Sequence, residues 1–253
     1  MIQIDQTELT VTDLGSGRPV LLLHGGGGPL TVAPFAELLA ATHPARVITP
    51  THPGFAGTPR TEGMRTVRDL AALYVDLIAR LDLRDVTVVG NSIGGWIAAE
   101  MGLLDTSRVG RLVLVDAVGI QVEGHPIIDF FSLTPRQIAE ASYHDPDRFG
   151  IDPTKLPPDA QKAMAANRAA LTSYCGAAMS DPTLIERLAA VTRPVLVLWG
   201  DADRIVDADD GRAWARAIPG ARFELLTETG HLPQLETPQK LLSKIWAFAS
   251  SGA

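Results

Sequence analysis

Short apolar runs alternate along this chain with stretches of helical periodicity, and that alternation limits the fold more than any other feature. The strand-like runs are residues 9–14, 20–23, 46–49, 86–89, 111–115, 195–199 and 222–226. The later ones are rich in Val and Leu with little polar alternation, as strands covered on both faces are. Helical patterns fill the spaces at residues 66–81, 93–104, 209–217 and 238–249, the last entered through Thr237 and Pro238, a residue pair suited to an N-cap and first helical position. Such a pattern predicts an α/β fold with a mostly parallel central sheet and helices on both faces. Residues 15–19, Gly-Ser-Gly-Arg-Pro, read as a hairpin turn between the first two strands.

From residue 119 to 185 the rhythm stops. This stretch holds the apolar pairs Ile127-Ile128 and Phe130-Phe131, several prolines and a helical run at 158–174. A structureless loop of that length is uncommon, so a helical insertion over the sheet is expected. The expected division is a core of residues 1–118 and 186–253 and a helical cap of 119–185.

Composition excludes several classes of function. With 253 residues and 46% hydrophobic content, the chain can bury a sizeable core as one unit. A net charge of −7 and the lack of any Lys/Arg run argue against a nucleic-acid partner. The single cysteine, Cys175, has no catalytic motif around it and reads as a buried apolar group. No basic stretch followed by an apolar run opens the chain, and no apolar run reaches the length of a membrane span, so a soluble, cytoplasmic protein is expected. The histidines show no metal-ligand spacing, and neither a metal nor a cofactor is expected.

Gly90-Asn91-Ser92-Ile93-Gly94-Gly95 joins the strand at 86–89 to the helix at 93–104. A sharp strand-to-helix turn of the form G-x-S-x-G lifts a serine hydroxyl above the sheet edge, at a helix N-terminus that favours negative charge. Ser92 is therefore the candidate nucleophile, and a serine needs a base. His231, just past the last strand, is the histidine that follows a suitable acid in the chain order nucleophile, acid, histidine. The loop after the strand at 195–199 offers Asp201, Asp203 and Asp207 as orienting acid. Asp203 is preferred, and Asp116, after the strand at 111–115, is the fallback. Gly26, in His24-Gly25-Gly26-Gly27-Gly28-Pro29, and Ile93 are the candidate N–H donors to an oxyanion. His24 reads as structural.

Together these motifs resemble the α/β-hydrolase superfamily over nearly the whole chain, from the strand before His24 to the helix after His231. The loop His52-Pro53-Gly54-Phe55-Ala56-Gly57-Thr58 is similar to the family's loop after its next strand. The resemblance implies a serine hydrolase with residues 119–185 as its cap and a small molecule as substrate; self-association is left open. Ser92 argues against the dehalogenases and epoxide hydrolases, which use aspartate there. Carboxylic-ester hydrolysis needs only the triad and oxyanion hole and is the leading reading. The Gly-rich loop and the Ser92 motif are also similar to those of meta-cleavage-product hydrolases, which break carbon–carbon bonds and hold a substrate carboxylate with a cap arginine. Arg168 is the candidate for that role, but Leu232 stands where that group has tryptophan. Asn91, Ile127, Phe130, Phe131 and Leu232, with Met164 beside them, are the remaining candidates for the substrate pocket. A slow-turnover or non-catalytic ligand-binding protein is the alternative of another class.

Overall fold

A computed structural model describes residues 1–104 and 107–251. Among these residues the strands are β1 (Ile2–Ile4), β2 (Thr7–Leu9), β3 (Val11–Gly15), β4 (Arg18–Leu23), β5 (Ala45–Pro50), β6 (Val86–Asn91), β7 (Val109–Val115), β8 (Val195–Gly200) and β9 (Arg222–Leu226). The helices are α1 (Ala33–Thr42), α2 (Val67–Arg80), α3 (Ile93–Leu103), α4 (Pro135–Ser142), α5 (Pro146–Phe149), α6 (Pro158–Cys175), α7 (Leu184–Arg187), α8 (Ala208–Ala217), α9 (Pro233–Glu236) and α10 (Pro238–Ser250).

Strands β3 to β9 form one sheet in the order β3-β5-β4-β6-β7-β8-β9, antiparallel only between β3 and β5. Successive side chains of a strand point to opposite faces, and here both faces are covered. Leu21, Leu23, Val88, Leu112 and Leu114 join one core, with Leu70, Tyr74 and Leu77 of α2 and Ile97 and Met101 of α3. Val20, Leu22, Val89, Val113, Val115, Leu196 and Leu198 join the other, with Phe35 and Leu39 of α1 and Leu241, Ile245 and Phe248 of α10. This double burial is why the inner strands read as continuous apolar runs.

Two expectations about the N-terminal strands are corrected. The run at 9–14 is not one strand: Leu9 ends a separate β1–β2 hairpin and Val11 begins β3. Residues 15–19 are not a hairpin turn, because β5 lies between β3 and β4. Gly15 and Gly17 have φ of +72° and +120° and lie against the carbonyls of Ala45 and Pro44, so the chain passes beneath the start of β5. At α2 the entry is built as the residues suggest: Thr66 accepts from the Asp69 N–H and the Asp69 carboxylate accepts from the Thr66 N–H. At α10 Thr237 stands at the N-cap position, but its hydroxyl meets the Thr229 hydroxyl at 2.9 Å instead of capping the helix.

Between β7 and β8 the chain forms α4 to α7 and contributes no strand to the sheet among the described residues. Its contacts converge on the C-terminal edge of the sheet. The Ala141 and Ser142 carbonyls at the end of α4 accept from the N–H groups of Arg204 and His231. Asn167 of α6 donates to the Gly27 carbonyl and accepts from the Ala56 N–H. No helix among the described residues is long and apolar enough to cross a membrane.

Candidate active site

Ser92 sits between β6 and α3 with φ +56° and ψ −120°, a conformation that costs strain for a residue with a Cβ. Its surroundings hold it there. The Ser92 N–H donates to the Val115 carbonyl at 2.9 Å, and the Ser92 carbonyl accepts from the Gly95 N–H at 2.9 Å. The turn closes so tightly that a Cβ on Gly90 would lie 2.0 Å from the Gly94 carbonyl oxygen, and one on Gly94 would lie 2.4 Å from that of Leu23. Both glycines of the motif are thus required by close backbone approach.

His231 follows β9 and is buried, with Nδ1 2.7 Å from Asp203 Oδ2. Asp203 Oδ1 accepts from the N–H groups of Ile205 at 2.8 Å and Val206 at 3.2 Å. These bonds fix the carboxylate, and the carboxylate fixes the ring: a proton on Nδ1 leaves the basic lone pair on Nε2. The other acids of that loop are occupied elsewhere. Asp201 accepts from the Thr229 N–H, and Asp207 caps α8 and bonds His125. Asp116 accepts from the Gly200 N–H at 2.8 Å.

Gly25 packs against the Ser92 turn, where an added Cβ would lie 2.8 Å from Asn91 Oδ1 and 3.2 Å from Ser92 Cβ. Gly26 follows directly, beneath Leu171 of α6, and Ile93 opens α3 one residue after Ser92. The loop behind them is braced by two neutral histidines. The His24 Nδ1–H donates to the Gly25 carbonyl and Nε2 accepts from the His52 N–H; His52 in turn donates from Nε2 to the His24 carbonyl and accepts at Nδ1 from the Tyr74 hydroxyl. Burial lowers the His24 pKa to about 4, and burial first, then the neighbouring His24, holds that of His52 well below the usual range.

Several residues expected at the pocket have other partners. Asn91 donates to the His231 carbonyl at 2.9 Å and accepts from the Gln234 amide at 3.1 Å, tying the serine turn to the histidine loop. The Arg168 guanidinium donates to the Phe131 carbonyl and lies over the rings of Phe130 and Phe131 at 5.6 and 5.3 Å. Ile127, Phe130 and Phe131 are partly buried against the core, Leu232 is half-buried at the entry to α9, and Met164 is exposed. The neighbouring Ile128 donates to the Ile205 carbonyl beside Asp203.

Asn167, Gln234 and Glu236 were not anticipated. Glu236 accepts from the Gly230 N–H at 2.6 Å and from the Asp145 N–H at 2.8 Å, so it braces the turn before His231. These contacts run from a helix, α6 or α9, to groups outside it, most of them distant in the chain, and no local sequence pattern signals them.

A family profile described as the alpha/beta hydrolase family matches residues 20–244, most of the chain. The chain belongs to the alpha/beta hydrolase family. Within it, the chain is 26% identical over 260 residues to the 2-hydroxy-6-oxo-2,4-heptadienoate hydrolase of Pseudomonas putida, covering 93% of this chain and 90% of that one. Among solved structures it resembles a meta-cleavage product hydrolase, with TM-score 0.78 and 21% identity over 96% of this chain and 95% of the other. It also resembles a thermophilic esterase from Thermogutta terrifontis, with TM-score 0.74 and 24% identity over 95% and 92%. At these identities the structural likenesses establish the shared fold.

Proposed function

We propose that this family member is a serine hydrolase acting on small carboxylic esters. The observation that carries the reading is the 2.7 Å contact between His231 Nδ1 and Asp203 Oδ2, tied through the Asn91 side chain to the turn that holds the strained, helix-opening Ser92. In this mechanism His231 Nε2 takes the Ser92 proton as Oγ bonds to the acyl carbon. The N–H groups of Gly26 and Ile93 stabilise the oxyanion. The carbon–oxygen bond then breaks, the proton passes from His231 to the leaving alcohol, and water releases the acid from Ser92 by the same steps. Residues 119–185 serve as the cap, with Ile127, Phe130, Phe131 and Leu232 supplying apolar wall.

A second reading, hydrolysis of a carbon–carbon bond in a ring-cleavage dienoate, is favoured by the name of the Pseudomonas putida relative. It asks more of this chain. A dienoate carboxylate needs a cation, and Arg168, one of whose N–H groups is taken by the Phe131 carbonyl, would have to reach it with the others.

The test is a panel of p-nitrophenyl esters of increasing chain length beside a 2-hydroxy-6-oxo-dienoate, with wild type and Ser92→Ala. The serine variant is expected to lose activity by on the order of 10³-fold or more; near-normal turnover in the folded variant removes Ser92 from the chemistry. Faster hydrolysis of the dienoate than of any ester selects the second reading. Failure of the folded wild type to react with a fluorophosphonate points to a binding protein.

A further inference from the structure

Asp116 directly follows β7, is fully buried, and has a left-handed backbone at φ +47°. Its Oδ1 accepts the Gly200 N–H at the root of the loop that carries Asp203. Its Oδ2 is buried with no donor facing it. Asp203 is its acidic neighbour, near enough for the charge of one carboxyl to act on the other. On Asp203 three acceptor positions are filled, by Ile205, Val206 and His231. A carboxylate offers about four. Two ionised carboxylates repel each other, whereas a proton on the orphaned Asp116 oxygen gives it a donor to offer and removes one of the charges.

Resting on the triad reading, we propose that Asp116 is a positioning residue: it stays protonated, and its Oδ2–H donates to Asp203, holding that carboxylate against His231. The charges around the pair favour this arrangement. Besides His231, Glu236 of α9 acts on Asp116 and Asp210 of α8 acts on Asp203, both acidic, while His125 acts on Asp210 as a basic group. Burial first, and then the charge of Asp203, push the Asp116 carboxyl well above its usual range. Asp116 is thus no rival to Asp203 but its support.

The experiment measures the second-order rate of fluorophosphonate labelling against pH in wild type, Asp116→Leu, Asp116→Asn and Ser92→Ala. Asp116→Leu is expected to slow labelling about tenfold or more, as loss of a hydrogen bond to a charged group does. An asparagine can accept from Gly200 and donate to Asp203, so Asp116→Asn is expected to restore most of the rate, with the acidic limb of its profile where wild type has it. A limb displaced about one unit or more to lower pH in Asp116→Asn would mean that a negative charge beside the imidazolium had been removed; that, or an asparagine variant as slow as the leucine one, overturns the proposal. Should Asp116→Leu not fold, the asparagine profile decides alone. Labelling that survives in Ser92→Ala overturns the triad reading instead.

Discussion

At the scale of single residues, the site depends on which oxygen or nitrogen each group presents. Asp203→Asn keeps the size of the side chain but replaces an acceptor with an amide, so the His231 ring loses the partner that fixes its proton on Nδ1. The variant is expected to keep its melting temperature within a few degrees and lose on the order of 10²-fold or more in kcat, measured on the best ester of the panel. If Asp116→Asn is the more damaging of the two, Asp203 is not the orienting acid. Ser92 could be singled out from the sequence because its motif is local: strand, glycine, serine, glycine and helix are contiguous. The loops of His231 and Asp203 could be paired because chain order in this architecture limits which ends meet. The partners of Asn91 and Arg168 could not be read, since each choice is settled by a group far away in the chain: the His231 carbonyl for one, the Phe131 carbonyl for the other.

Elements carry the next level of constraint, through how closely their backbones approach. A Cβ at Gly230 would lie 2.2 Å from the Ser142 carbonyl oxygen, the same oxygen that accepts the His231 N–H at 2.7 Å. Gly230→Ala must therefore separate the end of α4 from the histidine loop. It is expected to cost about 1–3 kcal/mol in denaturant unfolding and to lower kcat, with overpacking as the cause; unchanged values of both would show that the contact yields without strain. The inner strands were legible as short continuous apolar runs, because both of their faces are buried, and most flanking helices because a period of 3.6 survives in their residues. The β1–β2 hairpin and the place of β3 were not, because Gly-Ser-Gly suits a tight hairpin and a crossover beneath a third strand equally well. Helix α1 was also missed, although Pro34 in its first turn is a start signal, because its own residues are apolar on most sides and leave little 3.6-residue alternation.

For the whole molecule, buried acids set how stability follows pH. Asp210 at the start of α8 is buried and its Oδ1 meets no donor. Burial first, and then the charge of Asp207, raise its pKa from 3.8 to about 7. Because the folded value lies above the unfolded one, its contribution is complete below pH 3.8 and is lost as pH rises towards 7. Asp210→Asn has nothing to titrate, so its unfolding free energy is expected to fall less between pH 4 and 8 than that of wild type, by on the order of 1 kcal/mol or more. Parallel curves in urea titrations at the two pH values would contradict this. The end of α4 has a consequence on the same scale. Its carbonyls receive the Arg204 and His231 N–H groups, and Glu236 receives that of Asp145 just beyond. The segment between β7 and β8 and the loops of Asp203 and His231 are fastened by the same stitches. On the proposed reading, excising residues 119–185 would strip the loops of Asp203 and His231 of these bonds together, so the segment could not be removed without loosening both.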